Sequence, residues 1–114
     1  MKKKKVLFIS STGGHLNELL MLSPLFEKYE YNIITEKDKT NEYLKEKYGK
    51  KVKYLPYGTR SHLLQYIFIY FYLIIKTIYF YFLLRPNVIV TTGTHTAGPM
   101  CYLGKIFGSK IIYI

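Results

Sequence analysis

Five short apolar runs, at 5–10, 32–36, 51–55, 87–92 and 109–114, alternate with four stretches of helical periodicity, at 14–29, 40–48, 61–84 and 97–107. Strict alternation of this kind predicts a parallel sheet, because parallel neighbours must be joined by crossovers that carry the chain back to the same end of the sheet. With right-handed crossovers the helices cover both faces, giving a doubly wound α/β domain. The turn residues agree: Gly49 follows the second helix, Pro56 and Gly58 follow the third strand, Pro86 precedes the fourth and Gly108 the fifth. The 114 residues make one domain, 1–114, without internal repeat or linker. The fifth strand runs to Ile114, whereas a complete domain of this type adds a helix over it. The chain therefore reads as truncated, or as half of a site that a partner completes.

Ligands of such sheets bind beyond the carboxyl ends of the strands, where the strand order reverses. In this Rossmann-like arrangement that point lies between the first and fourth strands. One wall is Ser11-Thr12-Gly13-Gly14-His15, between Val6-Leu7-Phe8-Ile9 and a helix whose expected buried face is Leu16, Leu19, Leu20, Leu22 and Leu25. Paired glycines let the backbone approach a ligand and aim free N–H groups at it. The other wall is the Thr/Gly/His-rich stretch from Thr91 to Pro99. Substrate-binding candidates are Thr12, Gly13, Gly14, His15, Thr92, Gly93, Thr94 and His95. His15 and Glu18, about one turn apart, are the catalytic candidates, since imidazole and carboxylate both accept a proton from an attacking hydroxyl. Ordinary roles compete: a tight turn for the glycines, a bond to nearby backbone for His15, a dipole-favoured acid for Glu18, and an N-cap for Thr96. A carboxylate at this turn suits a sugar hydroxyl better than a bare phosphate.

The segment 63–84 is apolar on nearly all sides and rich in Tyr and Phe. As a helix it is about 33 Å long, enough to cross a bilayer core. A single crossing conflicts with the sheet, because the strands on either side of it must lie together. Lys76 at mid-helix is costly at a bilayer centre but can snorkel from an interface, where Tyr is also at home. The expectation is a membrane-associated helix lying in the interface, carrying Tyr66, Phe68, Phe71, Tyr72, Ile75, Lys76, Phe80 and Phe82. The competing reading is a wholly buried crossover helix.

Seventeen Lys and Arg stand against 7 acids; without Lys2 to Lys5, 13 basic residues remain, so the excess is spread through the fold. That balance suits anionic partners or a solvated lysine-rich surface. Nucleic acid is not expected, because the aromatic residues cluster with aliphatic ones rather than with lysine. A single cysteine, Cys101, points to an intracellular chain. The four apolar residues after Lys5 are too few for a signal peptide. His15, His62 and His95 lack metal-ligand spacing, and neither a nucleophile elbow nor a Gly-Lys-Ser phosphate loop is present. Glu36, ending the second strand, matches the ribose acid of a dinucleotide site, but the first turn lacks the third glycine of that fingerprint. Neither a cofactor nor a metal is expected.

Two motifs together carry a family resemblance: Ser11-Thr12-Gly13-Gly14-His15-Leu16-x-Glu18 before a Leu-rich helix, and Arg85-Pro86-Asn87-Val88-Ile89-Val90-Thr91-Thr92-Gly93 with Gly98-Pro99 downstream. The chain resembles the N-terminal half of GT-B glycosyltransferases. It is most similar to the membrane-anchoring subunit of the split N-acetylglucosaminyltransferase of dolichol-linked oligosaccharide synthesis. Its bacterial counterparts in capsule and exopolysaccharide synthesis, accessory subunits of a β-1,4-galactosyltransferase, share the pattern, as does the undecaprenyl-muropeptide N-acetylglucosaminyltransferase. The resemblance implies a two-component glycosyltransferase at the cytoplasmic face of the membrane. This chain would hold a polyprenyl-pyrophosphate-linked sugar acceptor through Gly13, Gly14, His15, Thr92, Gly93 and Thr94. A UDP-sugar-binding partner subunit would hold UDP-GlcNAc or UDP-galactose.

Overall fold

The computed structural model describes residues 4–11, 14–37, 39, 41–55, 63–92 and 97–113, with side chains from residue 67 onward in the long helix. The strands are β1 (Lys5–Ile9), β2 (Glu30–Glu36), β3 (Val52–Leu55), β4 (Val88–Thr91) and β5 (Lys110–Tyr113). The helices are α1 (Gly14–Leu20), α2 (Tyr43–Tyr48), α3 (Leu63–Leu84) and α4 (Gly98–Phe107), with short 3-10 turns at Ser23–Lys28 and Gly49–Lys51. The sheet is wholly parallel, in the order β3-β2-β1-β4-β5. The expected Rossmann-like doubly wound architecture is therefore present, with β1 at the centre.

Alternation along each strand sends side chains to opposite faces. Leu7, Ile9, Ile34, Leu55 and Ile89 join Leu73, Phe80 and Tyr81 of α3 and Met100 and Cys101 of α4. Val6, Phe8, Ile33, Val52 and Val90 meet Leu16 and Leu19 of α1, Phe26, and Leu44 of α2. Each fully buried Leu, Ile or Phe contributes about 1.5–3 kcal/mol, and the two layers bury such residues on both sides of every inner strand.

The helix expected over 14–29 is broken. α1 stops at Leu20, and a 3-10 turn follows with Pro24 in its first positions. Proline has no N–H to donate, and its ring clashes with the carbonyl four residues back, here that of Leu20. The break rotates the later side chains, so Leu25 is exposed and Phe26 takes the buried position, against a ring of Phe8 at 4.6 Å.

Arg85-Pro86-Asn87 has a local structural task. Arg85 ends α3 with a positive φ of 43°, and Pro86 prevents the helix from continuing. The Asn87 side chain accepts from the Lys5 N–H at 3.0 Å. Its own N–H donates to the Lys5 carbonyl, and its carbonyl accepts from Lys110. One asparagine thus ties β1, β4 and β5 together at their amino ends. The Ser109 hydroxyl donates to the Pro86 carbonyl and so accepts from the Tyr81 hydroxyl, each at 2.7 Å.

Thr35 Oγ1, at the carboxyl end of β2, is a buried side-chain oxygen without a hydrogen-bond partner among the described residues. A buried, unmatched hydroxyl costs about 1–3 kcal/mol. Thr35→Val keeps the shape and removes the hydroxyl, so urea unfolding is expected to give a stability about 1 kcal/mol higher. An unchanged or lower midpoint would mean that the hydroxyl has a partner in the native state.

Candidate functional site

β1 and β4 lie side by side with Ile9 opposite Thr91, so their carboxyl ends open into a common crevice. A hydrogen bond joins its two walls: Thr92 Oγ1 donates to the His15 carbonyl at 3.2 Å across 77 residues of sequence. Beneath it, Ser10 and Thr91 are fully buried. The Ser10 N–H donates to Ile34 and its hydroxyl to Ser11 O, fixing the point where the chain leaves the sheet. Gly14, His15 and Glu18 are exposed at the rim, and Thr92 is half-buried. A Cβ placed on Gly14 would meet none of the described residues within 4 Å. None of the described residues therefore requires glycine there.

His15 and Glu18 are three residues apart on α1 and so lie on one helix face. α1 begins at Gly14 with no acid in its first turn. Glu18 sits a turn deeper than a dipole-favoured acid would, which removes the simplest structural reason for it. Asn17, between them, is also exposed. An imidazole and a carboxylate thus share one exposed helix face beside the crevice, a donor and acceptor set suited to sugar hydroxyls. Thr12, Gly13, Gly93, Thr94 and His95 lie outside the described residues.

Two cavities lined by described residues lie away from the crevice. One of about 340 Å³ is at the amino ends of β4 and β5 beside Arg85 and Ser109, and one of about 540 Å³ is at the β3 edge among lysines. No group of three His, Cys, Asp or Glu able to hold a metal occurs among the described residues. Glu36 is buried under the sheet end and its carbonyl accepts from Asn41 Nδ2 at 2.6 Å. It does not present itself at an open ribose site. Burial pushes the Cys101 thiol up, which disfavours the nucleophilic thiolate.

Along α3 the two sides differ. Leu73, Thr77, Phe80 and Tyr81 face the sheet. Phe68, Phe71, Tyr72, Ile75 and Phe82 are exposed, Phe68 at 74 %. Phe80 departs from the expected outward set, being 9 % exposed in the core. The side chain of Tyr66 lies outside the description. Lys76 is half-buried; its ammonium donates to Tyr54 O at 3.3 Å and lies 5.7 Å from the ring centres of Tyr72 and Phe80. The segment Ile67–Leu84 is long and apolar enough to cross a membrane by length and composition, and 22 % of it is buried. It is therefore not the wholly buried crossover helix that was the competing reading.

No family model and no curated protein matches the sequence. Solved structures do share the fold. The chain is similar to MurG from Acinetobacter baumannii, with a TM-score of 0.70 and 15 % identity over 95 % of this chain and 34 % of that one. It is similar to the UDP-GlcNAc 2-epimerase from Methanocaldococcus jannaschii, with a TM-score of 0.71 and 16 % identity over 96 % of this chain and 31 % of that one. It spans about a third of the length of either. It is also similar to the C-terminal domain of a hydrogenase from Pyrococcus furiosus, with a TM-score of 0.65 and 15 % identity over 100 % of this chain and 94 % of that domain. The likeness is one of fold: an α/β Rossmann-like unit of the kind that forms half of a GT-B protein.

Proposed function

We propose that the chain is the lipid-acceptor-binding, membrane-attached subunit of a two-component glycosyltransferase, acting at the cytoplasmic face of the membrane in surface-polysaccharide or lipid-linked oligosaccharide assembly. A partner subunit holds UDP-GlcNAc or UDP-galactose. The observation that carries this reading is the bond from Thr92 Oγ1 to the His15 carbonyl. It joins the two motifs of the resemblance at one crevice, in a domain whose longest helix presents an uncovered aromatic face. The likeness in fold to about a third of MurG and of the UDP-GlcNAc 2-epimerase supports it, because both are larger chains in which such a domain is one part.

The acceptor sugar sits against Gly14, with its hydroxyl toward His15 and Glu18 and its lipid tail toward α3. Transfer with inversion needs a base to take the hydroxyl proton as the bond to the anomeric carbon forms and the nucleoside diphosphate leaves. His15 or Glu18 supplies it. The test is transfer to a polyprenyl-pyrophosphate-linked sugar by the chain together with the partner. His15→Ala with Glu18→Gln is expected to lower turnover by about 10²–10⁴, the usual contribution of a positioned base, with unchanged recruitment to vesicles. Gly14→Ala is expected to weaken acceptor use at unchanged melting temperature, since a Cβ there meets none of the described residues. Full turnover by the double variant would favour a second reading, a scaffold that recruits a self-sufficient catalytic partner through α3.

A further inference from the structure

At the β3 edge of the sheet, apart from the crevice between β1 and β4, lies a cavity of about 540 Å³. Lys37, Lys45, Lys50, Lys53 and Lys76 all line it, and among the described residues no acid does. They come from the end of β2, from α2, from the 3-10 turn, from β3 and from the middle of α3. None of the five forms an ion pair among the described residues. Three of them meet carbonyls and ring faces: Lys53 Nζ on Lys50 O at 3.4 Å, Lys76 Nζ on Tyr54 O at 3.3 Å, and Lys45 Nζ 5.9 Å from the Tyr54 ring centre. Glu42 acts electrostatically on the Tyr54 hydroxyl from outside the lining.

Five like charges around one concavity repel one another. An anion seated among them relieves this repulsion. Carbonyls and ring faces orient the ammonium groups without neutralising them. The remaining wall is apolar: Tyr79 and Leu83, exposed on α3, border the same cavity.

We infer that this cavity is a binding site for a phosphate-bearing anion, held by Lys37, Lys45, Lys50, Lys53 and Lys76. The phosphate belongs either to a lipid headgroup, whose chains would run along Tyr79 and Leu83, or to a soluble phosphate ligand. The site shares no residue with the crevice and its test does not read glycosyl transfer, so failure of the proposed function leaves it standing.

The experiment compares wild type with Lys45→Gln/Lys50→Gln/Lys53→Gln and with a control of equal net charge outside the cavity, Lys28→Gln/Lys47→Gln/Lys110→Gln. Each is checked for an unchanged melting temperature. One arm titrates inorganic pyrophosphate by calorimetry. The other measures sedimentation with phosphatidylcholine vesicles, with and without phosphatidylglycerol. Attraction to an anionic surface is worth roughly fivefold per lysine, so the cavity variant is expected to lose roughly a hundredfold in the arm that binds. The control is expected to lose far less. Saturable pyrophosphate binding identifies a soluble ligand, and a preference for phosphatidylglycerol without it identifies the lipid. Equal losses in the two variants, or wild type with neither pyrophosphate binding nor a phosphatidylglycerol preference, would overturn the site.

Discussion

Replacing Phe68, Phe71, Ile75 and Phe82 by Ser is expected to release the protein from lipid vesicles while leaving it folded. All four side chains are exposed and on the outer side of α3. At about 1.5 kcal/mol for each such side chain withdrawn from water, the four together contribute about 6 kcal/mol. That corresponds to a change of about 10⁴ in partitioning. The fold should hold, because α3 docks on the sheet through Leu73, Phe80 and Tyr81, which are untouched; near-wild-type melting checks this. Flotation on phosphatidylcholine vesicles reads the apolar contribution separately from the lysines. Equal flotation of variant and wild type would end the membrane reading of α3 and point to a protein partner on that face.

The second large effect is expected at Gly104. A Cβ built there lies 2.6 Å from Ile89 Cδ1, 3.3 Å from Ser109 Cβ and 3.7 Å from Ile111 Cδ1. α4 therefore packs on β4 and β5 with the Ile89 side chain occupying the place of a Cβ at Gly104. Ala requires Ile89, fully buried in the core, to change its side-chain position. Val adds two methyl groups to a space with no room for one. Overpacking of this kind costs about 1–3 kcal/mol, and more where backbone must move. Gly104→Val should thus lower the melting temperature by roughly 15 °C and loosen β5 first, since Ser109 is held in the same contact. Gly14→Ala is the matched control: its Cβ meets none of the described residues within 4 Å and the variant should melt with wild type. A Gly104→Val protein that also melts with wild type would mean that α4 does not sit where the structure puts it.

The elements were legible because each is written in its own few residues. Val6-Leu7-Phe8-Ile9 is apolar on both sides, as a central parallel strand must be, and Gly108 ends α4 in the left-handed conformation with φ 92°. The exception at 21–29 is instructive. The leucine periodicity continues across the break, but Pro24 overrides it, because a missing donor and a ring clash outweigh apolar spacing. The crevice was half legible. Two Gly/Thr/His-rich turns 80 residues apart announce a site, and strand order brings them to one end; the Thr92 to His15 bond that joins them depends on loop paths that no local pattern encodes.

What the sequence by itself determined, then, is the alternation of strands and helices, the parallel sheet that follows from it, and the end of that sheet where ligands meet the chain. These rest on side-chain periodicity and turn chemistry, which act between near neighbours. Only the tertiary structure decided which side of α3 is covered and which lysines face one another. The helix is apolar all round, so its composition could not say that Phe80 turns inward while Phe68 and Phe71 stay out. Lys37 and Lys76 are 39 residues apart and meet at one cavity because β3 lies at the sheet edge and α3 returns beside it. Burial and field are sums over everything nearby in space, and the crossovers, not the spacing of residues along the chain, set what is nearby.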